Sequence, residues 1–243
     1  MEKTRLMLLE HYHKYPKLQI QDIFKFIYQS SFGCEHLVTD LVGATEYIKK
    51  EYELIEPSAK TSYRREITWS VFNEKANRFA NLLLQRGIKK GDKVAILMMN
   101  SLEWLPIYFG ILKTGALAVP LNFRYSADEI EYCVNLAEVD ILVFGNEFIG
   151  RVEEIADRIS KGRLLIYVGE GCPGFADDYN SLSANCSSQS PMVPLTDEDY
   201  AAIYFSSGTT GFPKAILHKH RSLVHSCMVE QNHHGQKKDD VFL

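Results

Sequence analysis

The chain has 243 residues, of which 46% are hydrophobic and 12% aromatic, and its formal net charge is -4. This length suits one large or two small packed domains, and the charge balance without a long basic run excludes an electrostatic binder of nucleic acid. No apolar run approaches the roughly 20 residues of a membrane span, and no signal pattern is found. Five scattered cysteines without a C-x-x-C pair fit a reducing compartment, so we expect a cytoplasmic protein.

The first 56 residues differ in pattern from the rest of the chain. Apolar side chains recur at helical spacing between Ile20 and Tyr28. Two shorter helices are predicted around this stretch, one before Pro16 and one over residues 43–53. We therefore predict a small all-α unit over residues 1–56, whose role the sequence leaves open. A linker rich in turn-forming residues follows, so we place the second domain at residues 57–243.

Strands and helices alternate through this second domain. Continuous apolar runs are typical of strands buried on both faces, and they occur at residues 94–99, 118–121, 141–144 and 164–168. Amphipathic stretches predict helices at residues 70–86, 102–114, 127–136 and 151–160. Residues 169–194, rich in Gly, Ser, Asn and Pro, are predicted to form a long surface connection. The pattern predicts an α/β fold, a partial doubly wound and mostly parallel sheet with helices on both faces.

A polar, glycine-rich stretch lies between two apolar runs near the end of the chain. It reads S-S-G-T-T-G-F-P-K from Ser206 to Lys214. Two glycines allow backbone N–H groups to turn toward one anion, four hydroxyls add donors or a Mg²⁺ ligand, and Lys214 adds a positive charge. It is not a Walker A loop, because its G-x-x-G-x-x-K pattern is spaced differently and no Ser or Thr follows the lysine. A flexible surface turn is the alternative, but the lysine and the flanking strands favour a loop that binds a polyphosphate.

Three further stretches precede this loop in a fixed order. They read I-T-W-S-V-F-N from Ile67, G-D-K-V-A-I from Gly91 with N-S-L-E-W from Asn100, and I-L-K-T-G-A-L-A-V-P-L-N from Ile111. Together with the loop they resemble the adenylate-forming (AMP-binding) superfamily, which contains acyl-CoA synthetases, peptide-synthetase adenylation domains and luciferases. The resemblance covers residues 62–243, and the S-S start of the loop favours acyl-CoA synthetases.

The resemblance implies a reaction, its cofactors and a set of site residues. In the family a carboxylate attacks the α-phosphorus of ATP to give an acyl-adenylate and pyrophosphate, with Mg²⁺ as the metal and CoA as a candidate acceptor. Thr209 or Thr210 would approach Mg²⁺, while the other loop residues grip the β- and γ-phosphates. The implied nucleotide-binding residues are Ser206, Ser207, Gly208, Thr209, Thr210, Gly211, Lys214 and His220. For His220 the alternative is that it caps or solvates a helix beginning near Ser222.

The family's later motifs find no match in this sequence. A Y-G-x-T-E element, an aspartate that holds the ribose and a catalytic lysine in a mobile C-terminal domain are all expected after the loop. We therefore expect a truncated chain, the N-terminal part of an ATP-dependent acyl-CoA synthetase or ligase of fatty acid metabolism, inactive on its own. The alternative is a non-catalytic interaction or scaffold module. In both cases an incomplete sheet exposes a strand edge, so we expect a partner chain or self-association.

Two weaker patterns have simpler interpretations than a functional site. Cys34 and His36, with two earlier histidines, offer soft metal ligands, but their spacing lacks the second matched pair of a zinc site. We therefore predict no metal-ligand cluster there. Trp69 and Trp104 are interpreted as core aromatics rather than substrate platforms.

Overall fold

A computed structural model describes residues 53–56, 65–159, 163–206 and 213–237. The predicted all-α unit, the Cys34 cluster and loop residues 207–212 lie outside these described residues. The chain divides into two compact units. The larger unit comprises Glu51–Val193 and Tyr200–His218, and the described part of the smaller unit comprises Pro194–Asp199 and residues 219–237.

The described residues form strands and helices that alternate through most of the chain. The strands are β1 (Glu53–Glu56), β2 (Arg65–Thr68), β3 (Lys93–Leu97), β4 (Leu117–Pro120), β5 (Ile141–Gly145), β6 (Leu164–Val168), β7 (Asp177–Asp178), β8 (Tyr200–Ser206) and β9 (Lys214–Lys219). The helices are α1 (Trp69–Gln85), α2 (Trp104–Thr114), α3 (Ala127–Leu136), α4 (Ile149–Ile159), α5 (Tyr179–Ala184) and α6 (His220–His234). One 3₁₀ turn, Asn146–Phe148, precedes α4.

A seven-stranded sheet has the order β7-β6-β5-β3-β4-β8-β9. The pairs β3–β4, β3–β5, β4–β8, β5–β6 and β6–β7 are all parallel. In the centre, Ala95 of β3 lies opposite Val119 of β4 and Leu142 of β5. The predicted α/β fold with a mostly parallel sheet is confirmed. β1 and β2 form a separate antiparallel pair, in which Glu53 lies opposite Thr68.

Both faces of the central strands are buried. Alternate residues such as Leu97, Leu142 and Phe144 join one hydrophobic cluster with Ile130 of α3 and Val152 of α4. The intervening residues, buried at Val94, Ile96, Val143 and Ile166, point to the other face because side chains alternate along a strand. There α2 contacts β3 and β4, and α1 packs along α2. A strand covered in this way explains the continuous apolar runs in the sequence.

One local prediction is wrong. The connection predicted over residues 169–194 contains β7 and α5, because the carboxylate of Asp178 accepts a 2.7 Å hydrogen bond from the amide of Ser181 and so caps a short helix. The helix predicted to begin near Ser222 begins at His220. Trp69 and Trp104 are half-buried rather than fully enclosed. Within the described ranges, none of the helices is long and apolar enough to cross a membrane.

Candidate functional site

The carboxyl edge of the sheet carries the described ends of the predicted phosphate loop. Because β3, β4, β5, β6 and β8 run parallel, their carboxyl ends meet at one edge, which is where ligands bind in sheets of this kind. Ser206 is the last residue of β8 and is half-buried. Lys214 is the first residue of the neighbouring β9 and is exposed. The structure thus places these two predicted site residues on adjacent strands, and Lys214 is an exposed cation.

The phosphate-binding role of the remaining loop residues stays a prediction. Ser207, Gly208, Thr209, Thr210 and Gly211 all fall outside the described residues. The expected approach of Thr209 or Thr210 to Mg²⁺ therefore also stays a prediction. Elsewhere in the described ranges, no group of three or more His, Cys, Asp or Glu side chains is arranged to hold a metal ion.

A pair of tyrosines holds the strand that leads into the loop. The hydroxyl of Tyr204, on β8, lies 2.6 Å from the hydroxyl of Tyr108, on α2. The Tyr204 ring also lies against the His218 ring of β9, with their centroids 5.1 Å apart. Trp104 stacks on Tyr108 one turn earlier, at 5.4 Å and an interplanar angle of 13°. The sequence predictions did not include this pair, because Tyr108 and Tyr204 are 96 residues apart and each sits in an ordinary apolar run.

His220 belongs to the smaller unit and is only 2% exposed. It is the first residue of α6, and its amide donates a 3.0 Å hydrogen bond to the carbonyl of Asp199. Asp199 is fixed in turn, since its carboxylate accepts from the amide of Thr196 at 2.7 Å. Burial of the ring rules out the interpretation of His220 as a solvated helix end. Its predicted contact with nucleotide stays a prediction.

Beside His220, one carboxylate holds two cations on the surface of the smaller unit. Glu198 accepts a 2.7 Å hydrogen bond from Nζ of Lys219 and forms an ion pair with Arg221. The hydrogen bond from Lys219, followed by the charge of Arg221, lowers the pKa of Glu198. Lys219 and Arg221 are therefore engaged with Glu198, in contrast to the exposed Lys214.

A cavity of about 340 Å³ opens at the carboxyl ends of β3, β5 and β6. Its lining consists of Met98, Met99, Asn100, Ser101, Glu103, Gly145, Asn146, Glu147, Val168, Gly169, Glu170 and Asn180. Three carboxylates face it, and Glu103, whose side chain is 15% exposed, pairs with Lys75 at 3.4 Å. Among its described lining residues there is no Lys, Arg or His, so this cavity does not suit a triphosphate. The polar residues directly after the buried strands β3 and β5 were the signal that could have predicted it.

The cavity and the β8 end are distinct places on the same edge. In the sheet order, β4 lies between β3 and β8. At the usual strand spacing the ends of β3 and β8 are about 10 Å apart. An anion at Ser206 and Lys214 would therefore bind beside the acidic cavity and outside it.

The sequence model of the family described as "AMP-binding enzyme" matches residues 53–243. A long-chain-fatty-acid–CoA ligase of Mycobacterium tuberculosis, FadD13, is 34% identical over 173 residues, which are 71% of this chain and 32% of that protein. The chain thus spans about a third of the length of the curated relatives it matches.

Solved structures show the same architecture. The anthranilate CoA ligase AuaEII, crystallised with anthranoyl-AMP, superposes with a TM-score of 0.62 and 30% identity over 65% of this chain and 30% of its own. ATP-bound MatB from Rhodopseudomonas palustris superposes with a TM-score of 0.60 and 27% identity over 69% of this chain and 32% of its own. These proteins share the α/β fold described above.

Proposed function

This chain belongs to the AMP-binding enzyme family, and we propose that it is the N-terminal part of an ATP-dependent carboxylate–CoA ligase that activates a carboxylic acid as an acyl-adenylate. The observation that carries the proposal is the position of Ser206 at the carboxyl end of β8, with Lys214 at the start of the adjacent β9. Lys214 would supply positive charge to the ATP phosphates, and the loop between the two residues would supply backbone N–H groups.

The chemistry of the reaction explains why the site needs positive charge and N–H donors. A carboxylate and ATP are both anions, so a site that joins them must neutralise charge and hold the attacking oxygen in line with the α-phosphorus. Mg²⁺ would share the neutralisation, with Thr209 or Thr210 near it. CoA is the acceptor that the relatives' names suggest, and those names include fatty and aromatic acids as substrates.

A polypeptide of residues 1–243 is expected to bind nucleotide without completing the reaction, because it spans about a third of the relatives' length. We propose that a partner chain or self-association covers β9, whose Ile216 and Leu217 are 44% and 48% exposed. The same exposed pair would serve the alternative function, a non-catalytic scaffold that presents this surface without using ATP.

Nucleotide protection separates these functions. ATP–Mg²⁺ at tenfold its dissociation constant should stabilise the protein by about 1.4 kcal/mol against thermal unfolding, since a ligand that binds only the folded state shifts the equilibrium. Lys214→Met should weaken ATP binding about tenfold, because it removes a charge-assisted contact with phosphate. Lys89→Met is the matched control, since Lys89 is exposed and precedes β3 at the amino edge of the sheet.

The outcomes are distinct. Protection of the wild-type protein and of Lys89→Met, with reduced protection of Lys214→Met, supports a nucleotide site at the β8 edge. Equal protection of all three proteins would move the site elsewhere, and none at all would favour the scaffold. Acyl-dependent pyrophosphate exchange well above background by residues 1–243 would contradict the expected inactivity of this polypeptide.

A further inference from the structure

Tyr204 joins three elements of the larger unit at one point. Its backbone belongs to β8, its hydroxyl meets Tyr108 of α2 at 2.6 Å, and its ring lies 5.1 Å from the His218 ring of β9. β8 and β9 are the two strands that end in Ser206 and begin with Lys214. One side chain therefore contacts both strands of the candidate site and ties them to a helix.

The alternation of side chains along each strand relates this contact to the orientation of Ser206 and Lys214. Tyr204 and Ser206 are two residues apart on β8, and side chains two residues apart point to the same face of a sheet. Lys214 and His218 are four residues apart on β9 and share a face for the same reason. Fixing the Tyr204 and His218 rings thus fixes the faces on which Ser206 and Lys214 present their side chains.

Tyr108 is a firm support for this contact. The residue is 9% exposed, and its neighbours include the stacked Trp104 ring and the Phe109 ring, 5.7 Å away in an edge-on arrangement. A hydroxyl–hydroxyl hydrogen bond of 2.6 Å is short for its type, and competition from water is weak for a partner so enclosed. The bond therefore restrains the end of β8 relative to α2.

We propose that Tyr108 and Tyr204 are positioning residues for the nucleotide: their hydroxyl–hydroxyl bond, with the Tyr204–His218 ring contact, fixes the strand ends that carry Ser206 and Lys214. The inference rests on the proposed function for the identity of the ligand. Neither tyrosine is required to touch ATP, and both act through the strand ends.

Two measurements test the inference separately from the proposed function. The first is hydrogen exchange, without nucleotide, in peptides spanning residues 203–217. Tyr204→Phe and Tyr108→Phe each remove one hydroxyl and should speed exchange there about fivefold, the effect of losing one ordinary hydrogen bond. The double variant should show no larger effect than the single variants, because all three lose the same bond.

The second measurement is the dissociation constant of ATP–Mg²⁺. We expect it to rise three- to tenfold in each single variant, again as expected for one hydrogen bond lost from the support of the site. Tyr167→Phe is the matched control. Its hydroxyl donates to the carbonyl of Glu170 at 2.8 Å and lies 3.2 Å from Oδ1 of Asn146, and it lies on β6, four places from β8 in the sheet. A purely global loss of stability should appear in this control as well.

The results distinguish failure of the positioning role from failure of the proposed nucleotide binding. Faster exchange at residues 203–217 and weaker ATP binding in the Tyr108 and Tyr204 variants, but not in Tyr167→Phe, supports the positioning role. Unchanged exchange in that segment overturns the inference, whatever the affinity for ATP. Faster exchange in a protein that does not bind ATP even as wild type would overturn the nucleotide role and the proposed function, and leave only the structural tie.

Discussion

Nζ of Lys113 donates a 2.9 Å hydrogen bond to Oδ1 of Asn73, which links α2 to α1 through a lysine that is only 6% exposed. Burial lowers the pKa of Lys113 to about 8, because the ammonium loses its hydration. The neutral amide of Asn73 replaces part of that hydration. Folding therefore carries a cost at any pH where this amine is protonated.

The cost of burying Lys113 predicts a pH dependence of stability. Between pH 8 and 10.5 the unfolded chain holds this proton and the folded chain releases it, so the free energy of unfolding should rise with pH across that window. Lys113→Met should abolish this rise and stabilise the protein at pH 7 by about 2 kcal/mol, which is the roughly 3 kcal/mol of the pKa difference less about 1 kcal/mol for the lost hydrogen bond to Asn73. Urea unfolding at several pH values measures both effects. Lys89→Met is the exposed control, and an equal slope in the two variants would contradict the assignment.

Asn81 of α1 holds the segment after α5 through two of its backbone carbonyls. Its amide donates to Ser187 at 2.7 Å and to Gln189 at 2.9 Å, next to Arg78, which donates to Cys186 at 2.7 Å. Asn81→Ala should destabilise the protein by about 1–2 kcal/mol and expose this segment to limited proteolysis. Asn135→Ala, on the exposed face of α3, is the control and should cost nothing. Unchanged cleavage of Asn81→Ala would show that other contacts hold the segment.

Gly110 lets α1 and α2 approach closely. A Cβ at this position would lie 2.8 Å from the carbonyl oxygen of Ala76 and 3.0 Å from Cδ1 of Phe79. Gly110→Ala should therefore destabilise the protein by about 1–3 kcal/mol, although alanine favours a helix. In Gly150→Ala the new Cβ has no neighbour within 4 Å, and a gain of up to about 1 kcal/mol is expected. Thermal unfolding that shifts both variants the same way would refute the steric argument.

The N-terminus of α3 is stabilised by a capping box. Ser126 Oγ accepts from the amide of Glu129 at 3.3 Å, and Glu129 Oε2 accepts from the amide of Ser126 at 2.8 Å. Ser126→Ala should cost about 1 kcal/mol, whereas Ser126→Asp should retain most of the stability, because aspartate also caps helices. Chemical denaturation compares the two, and an equal loss in both would argue against the cap.

Local signals account for the parts of the fold that the sequence predicted well. The capping residues at Ser126 and Glu129 identified the start of α3, and an apolar run gave β6 at Leu164–Val168. The signal for each of these elements lies within ten residues of sequence, either a helix cap or the apolar run of a strand buried on both faces. The position of Ser206 at the carboxyl edge followed from the same alternation of strands and helices.

Contacts between distant residues account for what the sequence did not predict. Helix α5 is six residues long, too short for an apolar period, and the segment after it is held by Asn77, Arg78 and Asn81, more than 100 residues earlier. The Tyr108–Tyr204 bond is equally non-local. The acidic cavity depends on three strand ends meeting, which no single stretch of sequence displays.

The pairing of Ala118 with Ala202 has a consequence for how the protein is made. β8 joins the sheet beside β4 although about 80 residues of chain separate them. During synthesis β3, β4, β5 and β6 leave the ribosome first, so the edge of β4 waits unpaired until β8 emerges. An open edge of this kind can pair with another nascent chain. The candidate site and the protection of β4 are therefore completed by the same late event.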